Sequence, residues 1–187
     1  MFLLIMALFT STSNTAHSMN PFFTDYETPF QIPPFEEIKM EHYKPGFEQG
    51  MKENLDEIND ITANTEAATF ENTIVALERT GETLDKVADV FFNLLSSNTN
   101  DQMDSLVQEM SPKLSAHRDS ILLNKDLFHR VKSVYEKRKS LSLNPEQTRL
   151  IEETHKYFVR AGVQLDENSM ERLTEINQKL SSLSVQF

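Results

Sequence analysis

A chain of 187 residues with 39% hydrophobic and 25% charged side chains can bury a sizeable core and has the composition of a soluble domain. Its formal net charge of −11 argues against a nucleic-acid partner and against insertion into or binding on an anionic membrane. The absence of cysteine excludes disulfides, thiolate metal sites and a cysteine nucleophile.

Residues 1–18 carry no Lys, Arg, Asp or Glu. An apolar run over 2–9 leads into small polar residues, and Ala16-x-Ser18 has the form of a cleavage site. This is the outline of a secretory signal peptide, too short for a finished membrane anchor. It predicts a periplasmic or secreted protein. The basic n-region is missing, so the alternative is a cytoplasmic protein whose true start is Met19.

Residues 19–40 form a different kind of chain. Pro21, Pro29, Pro33 and Pro34 oppose a helix, while Phe22, Phe23, Tyr26, Phe30 and Phe35 offer large apolar area. The reading is an extended strap pinned by its aromatic side chains onto a helical body.

Helical periodicity occupies residues 41–187. Pro45 suits a first turn, and Phe47, Met51, Leu55, Ile58 and Thr62 follow at helical spacing. The strongest pattern is 69–95, where Ile74, Leu77, Gly81, Leu84, Ala88, Phe91 and Leu95 recur in alternating steps of three and four. That predicts one long helix, capped by Thr69, as the spine of the domain. A third stripe follows through Met103, Leu106, Met110, Leu114, His117 and Ile121, with a kink or fresh start expected at Ser111 before Pro112.

Asn124 opens a shorter helix with Leu127, Phe128, Val131, Val134 and Tyr135 on its apolar side. Asn144-Pro145-Glu146-Gln147 is a capping box with proline in the first helical position. It starts a helix whose buried side is Leu150, Ile151, Thr154, Phe158 and Ala161, ended by Gly162. Asp166 caps the last helix, whose face reads Met170, Leu173, Ile176, Leu180, Leu183 and Phe187. No strand pattern follows the strap, so the fold class is all-α, a bundle-like multi-helix lobe. Phe187 falls on the apolar stripe with no stop signal after it, which predicts that the sequence is the N-terminal piece of something longer.

Chemistry is sparse along these helices. The four glycines at 46, 50, 81 and 162 are too scattered for a phosphate-binding loop, and there is no Gly-x-Ser-x-Gly elbow. Glu152-x-x-His155 is the one metal-like spacing, but a di-iron bundle needs a second such pair, and the reading is a solvated surface pair. His117 is read as a satisfied, partly buried core histidine, and His129 with Arg130 as surface. The cluster Lys132, Lys137, Arg138 and Lys139 lies where a helix C-terminus attracts cations. No catalytic, cofactor-binding or metal-ligating residue is assigned within the chain.

Several words of sequence carry more than periodicity. Asn-Pro-Phe-Phe at 20–23, Pro-Pro-Phe-Glu-Glu-Ile at 33–38 and Glu-His-Tyr-Lys-Pro-Gly-Phe-Glu-Gln-Gly-Met at 41–51 occur in order. Thr-Phe-Glu-Asn-Thr-Ile at 69–74, Leu-Glu-Arg-Thr-Gly-Glu at 77–82 and Ser-Pro-Lys-Leu-Ser-Ala-His at 111–117 follow. From about residue 20 onward the series resembles the N-terminal region of the thimet-oligopeptidase family of zinc metallopeptidases. It leans towards the bacterial peptidyl-dipeptidase (dipeptidyl carboxypeptidase) and oligopeptidase A branches.

The resemblance implies a large helical enzyme with a deep channel between two lobes. It implies a zinc ion in the C-terminal half, held by His-Glu-x-x-His and a downstream Glu, and short peptides as substrates. None of those catalytic positions exists in residues 1–187, so the resemblance implies a channel-wall lobe that binds no zinc itself and whose partner is the missing catalytic lobe. A free-standing exported binding or scaffold module without catalysis is the alternative from another class. A downstream reading frame containing the zinc motif separates the two.

Overall fold

The structure is a computed structural model that describes residues 20–186. The leader at 1–18, the alternative start Met19 and the terminal Phe187 lie outside the described residues.

Residues 20–39 are extended and broken by two 3-10 turns, Pro21–Phe23 and Pro29–Gln31. Asn20 fixes one end: its side chain accepts from the Phe22 N–H at 3.1 Å and donates to the His42 carbonyl at 2.8 Å. Phe22 is buried against Tyr43, ring centres 5.4 Å apart. The strap is extended and pinned as expected, but by only part of its aromatic set. Phe22 is fully inside and Tyr26 half-buried, while Phe23, Phe30 and Phe35 are exposed, Phe30 at 96%. Phe30 and Gln31 have φ of 59° and 56°, a left-handed pair that turns their side chains away from the body.

Helix α1, Met40–Ala63, begins where the Lys39 N–H donates to His42 Nδ1 at 3.0 Å. Pro45 therefore lies past the first turn, inside the helix. Its buried side includes His42, Tyr43, Gly46, Phe47, Gly50, Asn54, Ile58 and Ile61.

The predicted spine is two pieces. A π-helical turn, Phe70–Val75, runs into a single turn, α2 (Ala76–Glu78), and a separate helix α3 spans Glu82–Ser97. Gly81 separates them with φ +88°, a conformation open to glycine and costly for other residues. The Gly81 N–H, freed from any helical ladder, donates to Glu57 Oε2 of α1 at 2.7 Å. On α3 the stripe is wider than expected: Val87 and Val90 are buried with Phe91, and Leu84, Ala88 and Leu95 pack half-buried against the same cluster.

Helix α4, Asp101–Leu122, runs through Pro112 without a fresh start. The proline removes one ladder donor, but α1 and α7 pack along α4 and hold it as one rod. Helix α5 (Lys125–Lys137), a 3-10 turn (Arg138–Ser140), α6 (Pro145–Ala161) and α7 (Glu167–Ser184) complete the chain. Asn124, Asn144 and Asp166 cap these helices as their sequences require, and Gly162 ends α6 at φ +101°. The described residues contain helices and turns and no strand, an all-α lobe.

Two apolar clusters form the core, and α1 runs through both. One gathers Phe22, Tyr43, Phe47, Val87, Phe91 and Met110, with edge-on ring contacts of 5.2 Å (Tyr43–Phe91) and 5.4 Å (Phe47–Phe91). The other gathers Ile58, Ile74, Leu127, Val131, Ile151 and Phe158 from α1, the π turn, α5 and α6.

Candidate functional site

The buried polar groups are mostly structural ties. His117 of α4 is buried and its Nε2 meets Asn54 Oδ1 of α1 at 2.8 Å. Burial holds its imidazole below the ordinary value, and because Asn54 Oδ1 can only accept, Nε2 is the donor; Nδ1 is buried without a partner, so the histidine is half-satisfied rather than satisfied. Arg130 is buried, contrary to its reading as surface. It donates to the carbonyls of Asn64 and Glu66 at 2.7 and 3.2 Å and to Asn72 Oδ1 at 3.1 Å. One guanidinium thus ties the loop after α1 to the π turn, where lone carbonyls would otherwise lack donors. The signal was present in the sequence: Arg130 lies three residues after Leu127 and beside Val131, on the apolar stripe of α5.

Glu152 and His155 do not form a solvated pair. Glu152 takes Arg138 Nε at 3.1 Å, and His155 lies flat on Tyr135, ring centres 3.9 Å apart and planes within 9°. The Arg138 guanidinium carbon is 3.8 Å from the same Tyr135 ring centre. Two groups this close cannot share one face, so Tyr135 is sandwiched between them. Burial first, then the nearby Lys132 and Arg138 charges, pushes His155 below the usual imidazole range. Arg138 is committed to this stack rather than free for an anionic ligand. On the surface between α1 and α4, Lys113 and Lys44 hold Glu109 at about 2.

No group of three His, Asp or Glu side chains able to hold a metal occurs among the described residues. No helix among them is long and apolar enough to cross a membrane. What remains is surface. Helix α7 packs along α4, yet none of its residues is fully buried, and Ile176, Leu180 and Leu183 are exposed along it. Phe23, Phe30, Ile32 and Phe35 give the strap its own exposed apolar row. Several large apolar side chains exposed along one element mark a contact surface rather than a finished exterior.

The comparisons with known proteins give these surfaces a setting. The chain is 38% identical to the dipeptidyl carboxypeptidase of Escherichia coli over 170 residues, 91% of this chain and 25% of the relative. It is 39% identical to the dipeptidyl carboxypeptidase of Salmonella typhimurium over 170 residues, with the same coverage. These likenesses are consistent with an N-terminal region of a thimet-oligopeptidase-family protein. Oligopeptidase A of Escherichia coli extends the likeness at 22% identity over 160 residues, 86% of this chain and 24% of the relative. No family model matches the chain. The chain spans about a quarter of the length of the curated relatives it matches, and it resembles an N-terminal region of such family members.

Proposed function

We propose that this chain is the N-terminal helical lobe of a zinc-dependent peptidyl-dipeptidase, an enzyme that releases C-terminal dipeptides from short peptides. The lobe would form one wall of the substrate channel and supply no catalytic group. The observation that carries this is the match over 91% of the chain to a peptidase of which it covers 25%. The exposed α7 and strap surfaces support it, since a wall of a larger body needs faces for the remainder to cover.

The residues present do not fit zinc. Catalytic zinc takes three protein ligands of the His and carboxylate type, and the described residues offer no such group. His117 and His155 are both engaged with neighbours, Asn54 and Tyr135. In this reading zinc and its chemistry would belong to the part of the enzyme that this chain does not span. What this lobe contributes is shape: close-packed helices that restrict entry to short, flexible peptides.

The test is to express the natural polypeptide with its downstream sequence beside the 187-residue chain. Dipeptide release from a blocked hexapeptide is then followed by mass spectrometry, with and without a chelator. Chelator-sensitive release by the longer protein alone supports the proposal. Turnover by the 187-residue chain overturns it.

A further inference from the structure

Asp119 is a buried carboxyl group with no cationic partner among the described residues. It is 8% exposed on α4, facing α7. Both of its carboxylate oxygens are met by one neutral nitrogen, Asn177 Nδ2, at 3.0 Å each. Among the described residues no Lys, Arg or His nitrogen pairs with it. Arg118, its chain neighbour, instead turns onto Tyr157, with its guanidinium carbon 5.3 Å from that ring centre and a hydrogen bond to the hydroxyl. A carboxylate withdrawn from water normally has a cation or several N–H donors.

The carboxylate lines a cleft of about 300 Å³ between α4, the end of α6 and α7, together with Ser115, Arg118, Ala161, Asn177 and Leu180. Leu180 is 56% exposed at its rim, and Ile176 and Leu183 extend that rim along α7. The cleft thus offers a carboxyl floor and an apolar lip, with Arg118 at its edge drawn onto Tyr157. That combination fits a long basic side chain, whose methylene stem lies on leucine while its head reaches a carboxylate.

We propose that this cleft receives one arginine or lysine side chain from a polypeptide segment that rests on the Ile176, Leu180 and Leu183 rim. The segment assigned is one from the part of the enzyme that the relatives have and this chain does not span. That assignment rests on the reading of the chain as a lobe of a longer peptidase. The net charge of −11 makes a basic partner the favourable one.

The probe is N-acetyl-arginine N-methylamide, with the citrulline analogue as its uncharged isostere. Both are titrated at low salt into the 15N-labelled 187-residue chain while the Asn177 side-chain amide is followed by NMR. Expected are saturable shifts with the arginine probe, at least tenfold weaker binding of the citrulline analogue, and loss of that difference in Asp119→Asn. Lys52→Gln, on the exposed face of α1 and outside the cleft, should leave the difference intact. Equal response to the two probes, no saturable shift at Asn177, or loss of the difference in Lys52→Gln overturns the site. In the extended polypeptide the same amide should ignore the arginine probe, because the cleft is filled. A response there equal to that of the short chain overturns the assigned source. Dipeptide release, measured separately, reports on the lobe reading and is independent of these shifts.

Discussion

Replacing Gly50 with alanine should destabilise the chain, because a methyl group has no room where α1 crosses α3. A Cβ at Gly50 would lie 2.8 Å from both Cα and N of Leu84 and 3.1 Å from its Cβ. Ordinary contact begins near 3.4 Å, so the space is short by about 0.6 Å. The closest neighbours are backbone and cannot rotate away; α1 and α3 must part. That parting loosens the adjacent Phe47, Val87 and Phe91 cluster. Forced overpacking costs about 1–3 kcal/mol, offset by about 0.5–1 kcal/mol for replacing glycine inside a helix. Backbone contacts at 2.8 Å place the overpacking in the upper half of that range, so the net loss is roughly 1–2.5 kcal/mol, or about 2–10 °C in Tm for a chain of this size. Urea denaturation followed by far-UV circular dichroism, with calorimetry for Tm, measures it. Gly46→Ala is the internal comparison. Its closest contacts are side-chain atoms, Val87 Cγ2 at 2.9 Å and Phe22 Cδ2 at 3.2 Å, which can shift, so its loss should be smaller. A Gly50→Ala protein as stable as the parent, or a Gly46→Ala protein that suffers more, refutes the close-crossing argument.

Arg130→Lys should lower stability by about 2–3 kcal/mol, since an ammonium cannot serve three acceptors spread over two segments; an unchanged urea midpoint contradicts the tie. Asn54→Ala strands the buried His117 Nε2 and should cost about 1–3 kcal/mol by the same assay, whereas a neutral result would mean that water replaces the amide. Phe30→Gly should be neutral or stabilising by up to about 1 kcal/mol, because the side chain is almost wholly exposed and its φ is left-handed; a loss of more than that would place Phe30 in a contact. Acid should weaken the fold through His117 and His155. Both are held below their unfolded value of about 6.5, so the unfolded chain binds more protons. Their contribution is complete above that pH and is lost as pH falls through 6.5 towards the folded values. His155→Phe, which keeps the stack on Tyr135, should make the decline in urea midpoint between pH 7 and 5 shallower; an identical decline would remove His155 from the account.

Helix caps were the most legible part of the chain. Asn144 with Gln147, Asn124, Asp166 and Gly162 each act through local hydrogen bonds or one dihedral angle, and local chemistry is what a sequence displays. The spine was misread because Gly81 sits in perfect three-and-four register with its neighbours. Register does not show that the Gly81 N–H has a better acceptor, Glu57, on another helix. The strap itself was legible, but which aromatics pin it was not: aromatic content says that apolar area exists, while the backbone turn at Phe30 and Gln31 decides which way it points. Asp119 escaped notice because α4 has two packed sides. The stripe through Met110 and His117 faces α1 and the core, and a second face carrying Ser115, Asp119 and Leu122 meets α7. Amphipathic reading expects one buried stripe per helix and treats the rest as exterior.

The central claim is that this lobe shapes a peptidase channel without performing its chemistry. The most direct measurement is chelator-sensitive release of C-terminal dipeptides, run in parallel on the extended polypeptide and on the 187-residue chain, each supplied with zinc. Release by the extended protein and none by the 187-residue chain is the predicted result. Release by the 187-residue chain at a comparable rate would contradict it.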